Sequence, residues 1–180
     1  MNIANFLTIA RILMVPLIVW LLISDDYAEA LGVFALAAFT DAADGWLARK
    51  LGALTELGAS LDPLADKALL VSTYATLGAL HMMPTWVVIG VISRDVLIVG
   101  GLMLAWQLGR PLAIKPVMVS KANTVAQIGY MVVVLTQLSF GYMPPWLMAG
   151  CALIVGAFTL VSGAVYMRTW LAHMSGARQA

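Results

Sequence analysis

Residues 39–70 read FTDAADGWLARKLGALTELGASLDPLADKALL. It places four aspartates, at positions 41, 44, 62 and 66, in a chain that is 62% hydrophobic. A charged side chain at the centre of a bilayer costs about 2.5–3.5 kcal/mol, so four of them would cost on the order of 10 kcal/mol if nothing neutralised them. The sequence therefore predicts positively charged partners for these carboxylates.

Long apolar segments flank this stretch on both sides. Only 11% of the 180 residues are charged and the net charge is +1, a composition typical of integral membrane proteins that gives no indication of nucleic-acid binding. A helix needs about 20 apolar residues to cross a bilayer. Segments of that length lie at 5–23, 28–49, 59–80, 85–106, 120–139 and 145–170. We therefore predict an all-α integral membrane protein with six transmembrane helices, forming a single domain over residues 1–180.

The basic residues predict the orientation in the membrane. The breaks at 24–27, 81–84 and 140–145 contain no Lys or Arg. The opposite side carries Arg49, Lys50, Arg110, Lys115, Lys121, Arg168 and Arg178. Because Lys and Arg accumulate in cytoplasmic loops, both termini and the aspartate-rich stretch are predicted on the cytoplasmic side. The start has no signal-peptide cleavage pattern and no Arg- and Ser-rich leader, which favours a retained first helix in a bacterial cytoplasmic membrane.

The aspartates are spaced so that each pair shares a helix face. Asp41 and Asp44 are three residues apart and Asp62 and Asp66 are four apart. A short loop between the second and third helices makes them an antiparallel hairpin, which lets the two pairs face each other. Carboxylate oxygens suit Mg²⁺ or Mn²⁺ better than Zn²⁺, and no Cys or His cluster lies nearby. Two divalent cations would neutralise the four carboxylates and leave positions for an anionic substrate such as a diphosphate.

Small residues and one arginine accompany the aspartates. Gly45, Ala48 and Gly58 leave space for a bulky ligand or a second helix beside the carboxylates. Arg49 follows Asp44 by about one helical turn and is within reach of a phosphate. Helix packing and the cytoplasmic excess of arginine would explain any one of these residues alone, whereas their common spacing favours one shared site.

The combined spacing resembles a known signature. DxxDGxxAR from position 41, eight residues, and then GxxxDxxxD from position 58 are similar to the complete motif of the CDP-alcohol phosphotransferase family. The resemblance implies a six-helix membrane enzyme, commonly a homodimer, that uses two divalent cations. Such an enzyme displaces CMP from a CDP-linked lipid with an alcohol hydroxyl.

The resemblance also implies roles for individual residues. Asp41, Asp44 and Asp62 would hold the cations, and Asp66 would ligate at the edge of the site and act as the general base. The predicted CDP-lipid-binding residues are Gly45, Ala48, Arg49, Gly58, Asn5 and Thr8. The predicted acceptor- or phosphate-binding residues are Arg11, Arg94, Arg110, Lys115 and Lys121.

Two of these assignments also depend on position within a helix. Asn5, Thr8 and Arg11 are three residues apart on one face of the first helix, and polar groups inside a membrane normally face the interior of a helix bundle. Arg94 lies beside Asp95 near the middle of the fourth segment. Phosphate binding and a structural ion pair with Asp95 are both open for Arg94.

Three further segments predict the substrates. NIANFLTIARI, ISRDVLIVG and VSKANTVAQ are similar to segments of the family's cardiolipin-forming branch, which implies CDP-diacylglycerol as donor and phosphatidylglycerol as acceptor. Members that use glycerol 3-phosphate instead share the start and the aspartate motif, so this acceptor is the alternative. A divalent-cation transporter is a more distant alternative, since a pathway should continue across the bilayer and no acidic residue follows Asp66 on the third segment.

Overall fold

A computed structural model describes the backbone of residues 3–51, 56–107 and 118–174, and the side chains of 10–40, 67–101, 103–105, 107 and 118–172. Over these ranges the chain is helical, without strands. The helices are α1 (Ile3–Ile23), α2 (Tyr27–Leu51), α3 (Glu56–Ala79), α4 (Thr85–Gln107), α5 (Met118–Phe140) and α6 (Pro145–Met174). The all-α prediction is confirmed.

Several of these helices have the length and hydropathy needed to span a membrane. Within the described residues, three segments are long and apolar enough to cross a bilayer: Thr85–Ala105, Met118–Phe140 and Pro145–Ala172. Shorter apolar stretches lie in α1, at Ala10–Ile23, and in α2, at Tyr27–Thr40. These helices identify a membrane protein, while the number of six spans and the cytoplasmic termini stay predictions.

The distribution of burial differs from that in a water-soluble protein, because many large apolar side chains are exposed while several polar ones are buried. Large apolar side chains point outward, with Phe39 73%, Trp146 74% and Leu160 75% exposed. Buried polar side chains include Arg11, Arg94, Asp95, Asn123, Gln127, Thr159 and Ser162. Charged residues are almost never fully buried in water unless paired, and large exposed apolar patches are uncommon there. The outer surface is therefore suited to contact with lipid chains.

One compact unit comprises Met1–Met83 and Met131–Pro144. In this unit α1 packs against α2 and α3. Its core includes Leu22, Phe34 and Tyr74, all at most 1% exposed. Burying a side chain of this size stabilises the fold by about 1.5–3 kcal/mol.

Two left-handed residues end helices of this unit. Asp25 has φ 63° after α1, and the Asp26 amide donates to the Leu21 carbonyl over 2.9 Å. His81 has φ 57° after α3 and has the same arrangement, with the Met82 amide donating to the Leu77 carbonyl over 2.9 Å. This Schellman geometry satisfies carbonyls at a helix end and turns the chain sharply.

The turn between α1 and α2 carries a polar contact. The Tyr27 hydroxyl donates a hydrogen bond to Asp25 Oδ1 over 2.5 Å. This hydrogen bond raises the pKa of the Tyr27 phenol above its usual value, because ionisation would lose the bond and place a second negative charge beside the carboxylate.

The other unit comprises Pro84–Tyr130 and Pro145–Ala180, and here α4 packs against α6. The two helices run parallel. The Tyr166 hydroxyl donates to the Ile98 carbonyl and the Trp170 indole nitrogen donates to the Gly101 carbonyl, each over 3.0 Å. Each of these bonds pairs a polar side-chain atom of α6 with a backbone carbonyl of α4. An apolar groove of about 270 Å³ remains between the helices, lined by Val96, Leu97, Gly100, Gly101, Leu104, Tyr166, Met167 and Trp170.

Gly101→Ala is expected to destabilise the protein by about 1–3 kcal/mol through overpacking. A β-carbon at position 101 would lie 3.1 Å from Tyr166 Oη and 3.2 Å from its Cε1, and Tyr166 is held by its bond to Ile98. The matched control is Gly100→Ala, since apart from the adjoining backbone of its own helix no heavy atom lies within 4 Å of a β-carbon there. Thermal unfolding in one detergent measures both variants. An equal loss in the two would contradict the explanation, because alanine is otherwise preferred over glycine in helices by about 1 kcal/mol.

Candidate functional site

The aspartate motif lies on two consecutive helices. α2 ends at Leu51 and α3 begins at Glu56, so Asp41 and Asp44 lie in the last three turns of α2, and Asp62 and Asp66 in the first three turns of α3. The predicted placement of the two pairs on consecutive helices is thus present in the backbone, with each pair on continuous helix. All four aspartate side chains lie outside the described residues, as do those of Gly45, Ala48, Arg49 and Gly58. That the two pairs face each other stays a prediction.

The metal prediction depends on the chemistry of these four donors. Among the described residues no group of three or more His, Cys, Asp or Glu is placed to hold a metal ion. The four predicted ligands all belong to the part of the chain whose side chains are not described. All four are hard carboxylates, and such a donor set fits Mg²⁺ or Mn²⁺.

The polar face predicted on the first helix is described only at its last residue. Arg11 in α1 is 2% exposed, which agrees with a polar side chain directed away from lipid. Asn5 and Thr8 lie earlier on the same helix, and their side chains are outside the described residues. Substrate contacts by these three residues stay predictions.

Arg94 is the centre of a hydrogen-bond network in the unit that contains α4 and α6. Its Nη1 donates to Asp95 Oδ1 over 2.6 Å, and both side chains are about 95% buried or more, at 3% and 5% exposed. Its Nη2 donates to Ser120 Oγ over 2.6 Å and to Ser162 Oγ over 2.7 Å. The ion-pair alternative for Arg94 is therefore present in the structure, and phosphate binding by Arg94 stays a prediction.

Further buried polar side chains lie on α5 and α6, the helices that Arg94 contacts. Asn123 and Gln127 on α5 are both 0% exposed. The Thr159 hydroxyl on α6 donates to Asn123 Oδ1 over 3.1 Å. The predictions above omitted Ser120, Gln127, Thr159 and Ser162. Their signal in the sequence is spacing, because positions 120, 123 and 127 share one face of α5, as 159 and 162 do on α6.

The remaining predicted cations lie at or before the start of α5. Lys121 is exposed in the first turn of α5. Arg110 and Lys115 belong to residues 108–117, which are outside the described part of the chain. Lys121 is thus the one of these three cations whose surroundings the structure describes.

Comparison with known proteins gives the class of this helical membrane protein. Residues 1–170 match the sequence profile of CDP-alcohol phosphatidyltransferases, and the chain belongs to this family. The family resemblance of the motif is thereby confirmed. Together with the apolar helices, this match defines the class: a helical membrane protein of the CDP-alcohol phosphatidyltransferase family.

Individual relatives carry two different names. The chain is 36% identical over 143 residues to the human cardiolipin synthase (CMP-forming), covering 71% of this chain and 48% of the human protein. It is 31% identical over 188 residues to the CDP-diacylglycerol–glycerol-3-phosphate 3-phosphatidyltransferase of Pseudomonas fluorescens, covering 97% of this chain and 92% of that protein. The chain spans about half the length of the human and rat cardiolipin synthases that it matches, 48% and 47%.

Proposed function

We propose that this chain transfers the phosphatidyl group of CDP-diacylglycerol to phosphatidylglycerol, giving cardiolipin and CMP. The observation that carries the proposal is the aspartate motif at positions 41–66, on α2 and α3, in a chain of the CDP-alcohol phosphatidyltransferase family. The identity of 36% to the human CMP-forming cardiolipin synthase supports phosphatidylglycerol as the acceptor.

The proposed reaction is a direct displacement at phosphorus. The acceptor hydroxyl oxygen forms a bond to the phosphorus that carries diacylglycerol, and the bond from this phosphorus to the bridging diphosphate oxygen breaks. CMP leaves with the bonding electron pair, and the hydroxyl proton passes to the Asp66 carboxylate. None of the fixed motif positions is Ser, Cys or His, which favours direct transfer over a covalent enzyme intermediate.

The motif residues have different proposed roles in binding. Asp41, Asp44, Asp62 and Asp66 would hold two divalent cations, Mg²⁺ or Mn²⁺, whose charge stabilises attacking and leaving oxygens in a displacement at phosphorus. Arg49 contacts the diphosphate. Glycine and alanine at positions 45, 48 and 58 keep volume free for the CDP group.

The remaining assignments concern the acceptor and the assembly. Arg11, Arg110, Lys115 and Lys121 are the proposed cations that contact the acceptor phosphate, and Asn5 and Thr8 complete the donor pocket. Arg94 is the fifth cation assigned to acceptor binding, and its buried network decides between direct contact and an indirect role. The proposed assembly is a homodimer in a bacterial cytoplasmic membrane, with both termini and the site on the cytoplasmic side. Its substrates then arrive from the same membrane.

Glycerol 3-phosphate is the second candidate acceptor. The specific observation in its favour is the Pseudomonas fluorescens relative, which matches 97% of this chain and is itself covered over 92% of its length. A small dianion taken from water needs more converging cations than phosphatidylglycerol, which carries one phosphodiester charge and diffuses within the bilayer. The two acceptors therefore place different demands on the same set of arginines and lysines.

Competition between the two acceptors tests the proposed function. The purified protein receives CDP-diacylglycerol, Mg²⁺, phosphatidylglycerol and glycerol 3-phosphate together, and lipid products and CMP are quantified. We expect cardiolipin and CMP in equal amounts. Accumulation of phosphatidylglycerophosphate without cardiolipin would establish the second acceptor, and divalent-cation flux in liposomes without CMP release would favour a transporter. The Asp41→Asn variant serves as the blank.

A further inference from the structure

Arg94 joins three helices through a single guanidinium group. Nη1 is occupied by Asp95 on α4, while Nη2 is shared between Ser120 on α5 and Ser162 on α6. The side chain is only 3% exposed, so the guanidinium is enclosed by protein. The planar guanidinium group can hold its three hydrogen-bond partners in fixed directions, which the single ammonium group of a lysine cannot do. Arg94 therefore links α4, α5 and α6 through side-chain hydrogen bonds.

The hydrogen bond from Arg94 to α5 is made in the first turn of that helix. α5 begins at Met118, so Ser120 is its third residue, and Lys121 follows directly. Successive residues of a helix are about 100° apart around its axis. With Ser120 directed to Arg94, Lys121 is exposed on the outside of the helix. A bond that fixes the rotation of this turn therefore also fixes the direction of the Lys121 side chain.

We propose that Arg94 is a positioning residue, which through Ser120 holds the first turn of α5 so that Lys121 meets the phosphate of the acceptor. This inference rests on the proposed function, because it takes the phosphate of the phosphatidyl acceptor as the ligand of Lys121. It differs from direct phosphate binding by Arg94, whose two Nη atoms are occupied by Asp95, Ser120 and Ser162.

The decisive variants change the serines and leave the buried charges in place. Ser120→Ala is expected to raise the KM for the acceptor about threefold to tenfold, the range that one interhelical hydrogen bond in a membrane supports, with kcat and the KM for CDP-diacylglycerol unchanged. Ser120→Thr keeps the hydroxyl and is expected to restore the acceptor KM. The matched control is Ser162→Ala, which removes the other hydroxyl that accepts a hydrogen bond from Nη2. The bond from Nη2 to Ser120 on α5 remains, so the acceptor KM of this variant is expected to stay at the parent value.

A double-mutant cycle with Lys121→Gln identifies the route of the effect. Lys121→Gln is expected to raise the acceptor KM, and Ser120→Ala is expected to add little in that background, because both changes remove the same contact. The inference would be overturned by full additivity of the two changes, or by an unchanged acceptor KM in either Ser120→Ala or Lys121→Gln. An equal rise of the acceptor KM in Ser162→Ala would also overturn it. A fall in KM for Ser120→Ala would favour direct phosphate binding by the released Nη2.

The measurements also separate this inference from the proposed function. They are made with whichever acceptor, phosphatidylglycerol or glycerol 3-phosphate, the parent protein turns over. Transfer to either acceptor with unaltered KM values in the variants rejects the positioning role alone. Absence of transfer to both acceptors rejects the proposed function and the positioning role together.

Discussion

Asp41→Asn, Asp44→Asn and Asp62→Asn are each expected to reduce phosphatidyl transfer about a thousandfold or more, which corresponds to roughly 4 kcal/mol of transition-state stabilisation. A neutral amide removes one of the negative charges proposed to retain the divalent cations, while its size is almost that of the carboxylate. CMP release at saturating Mg²⁺ or Mn²⁺ measures the effect. Turnover retained by any of the three variants would be incompatible with the proposed ligand set.

The control for these variants is an aspartate outside the motif. Asp26→Asn changes the same chemical group in the turn between α1 and α2, and asparagine serves as well as aspartate before the first turn of a helix. We expect parent-level turnover for Asp26→Asn. Helix content and elution from a sizing column show whether each variant is folded. Chelation of divalent cations should stop the parent enzyme, and added Mg²⁺ should restore it.

The helices could be predicted from the sequence because each apolar segment had to contain one. The predicted ends of the helices were less accurate. The third segment was predicted to begin at residue 59, whereas α3 begins at Glu56. The sixth was predicted to end at residue 170, whereas α6 continues to Met174. Hydropathy locates the part of a helix that contacts lipid. Backbone hydrogen bonding continues into polar residues, so a helix extends beyond its apolar part.

The placement of the aspartate motif on two consecutive helices could be predicted because the motif is local in sequence. The aspartates of the motif lie within 26 positions, 41–66, and their spacing follows helical periodicity. The Arg94 network joins residues that are 26 and 68 positions apart. Periodicity indicates which face of a helix is polar, but the pairing across helices depends on their rotation and crossing, which one sequence does not define.

Arg94→Met is expected to lower the free energy of unfolding by about 3–5 kcal/mol, since it leaves the buried Asp95 carboxylate without the guanidinium. Asp95 is buried, so water cannot readily replace the lost partner. The two serine hydroxyls lose their donor as well. Thermal unfolding of purified parent and variant in the same detergent measures the change.

The matched control replaces both charges, as Arg94→Met with Asp95→Leu. A buried ion pair contributes little net stability over an apolar pair of similar volume, so the double variant is expected to recover most of the lost unfolding free energy. An equal loss in the single and double variants would instead assign the stability to the Ser120 and Ser162 hydrogen bonds. Methionine cannot donate to Ser120, so the acceptor KM is expected to stay raised in the double variant after its stability has recovered. Recovery of both quantities would mean that Arg94 stabilises the fold without positioning α5.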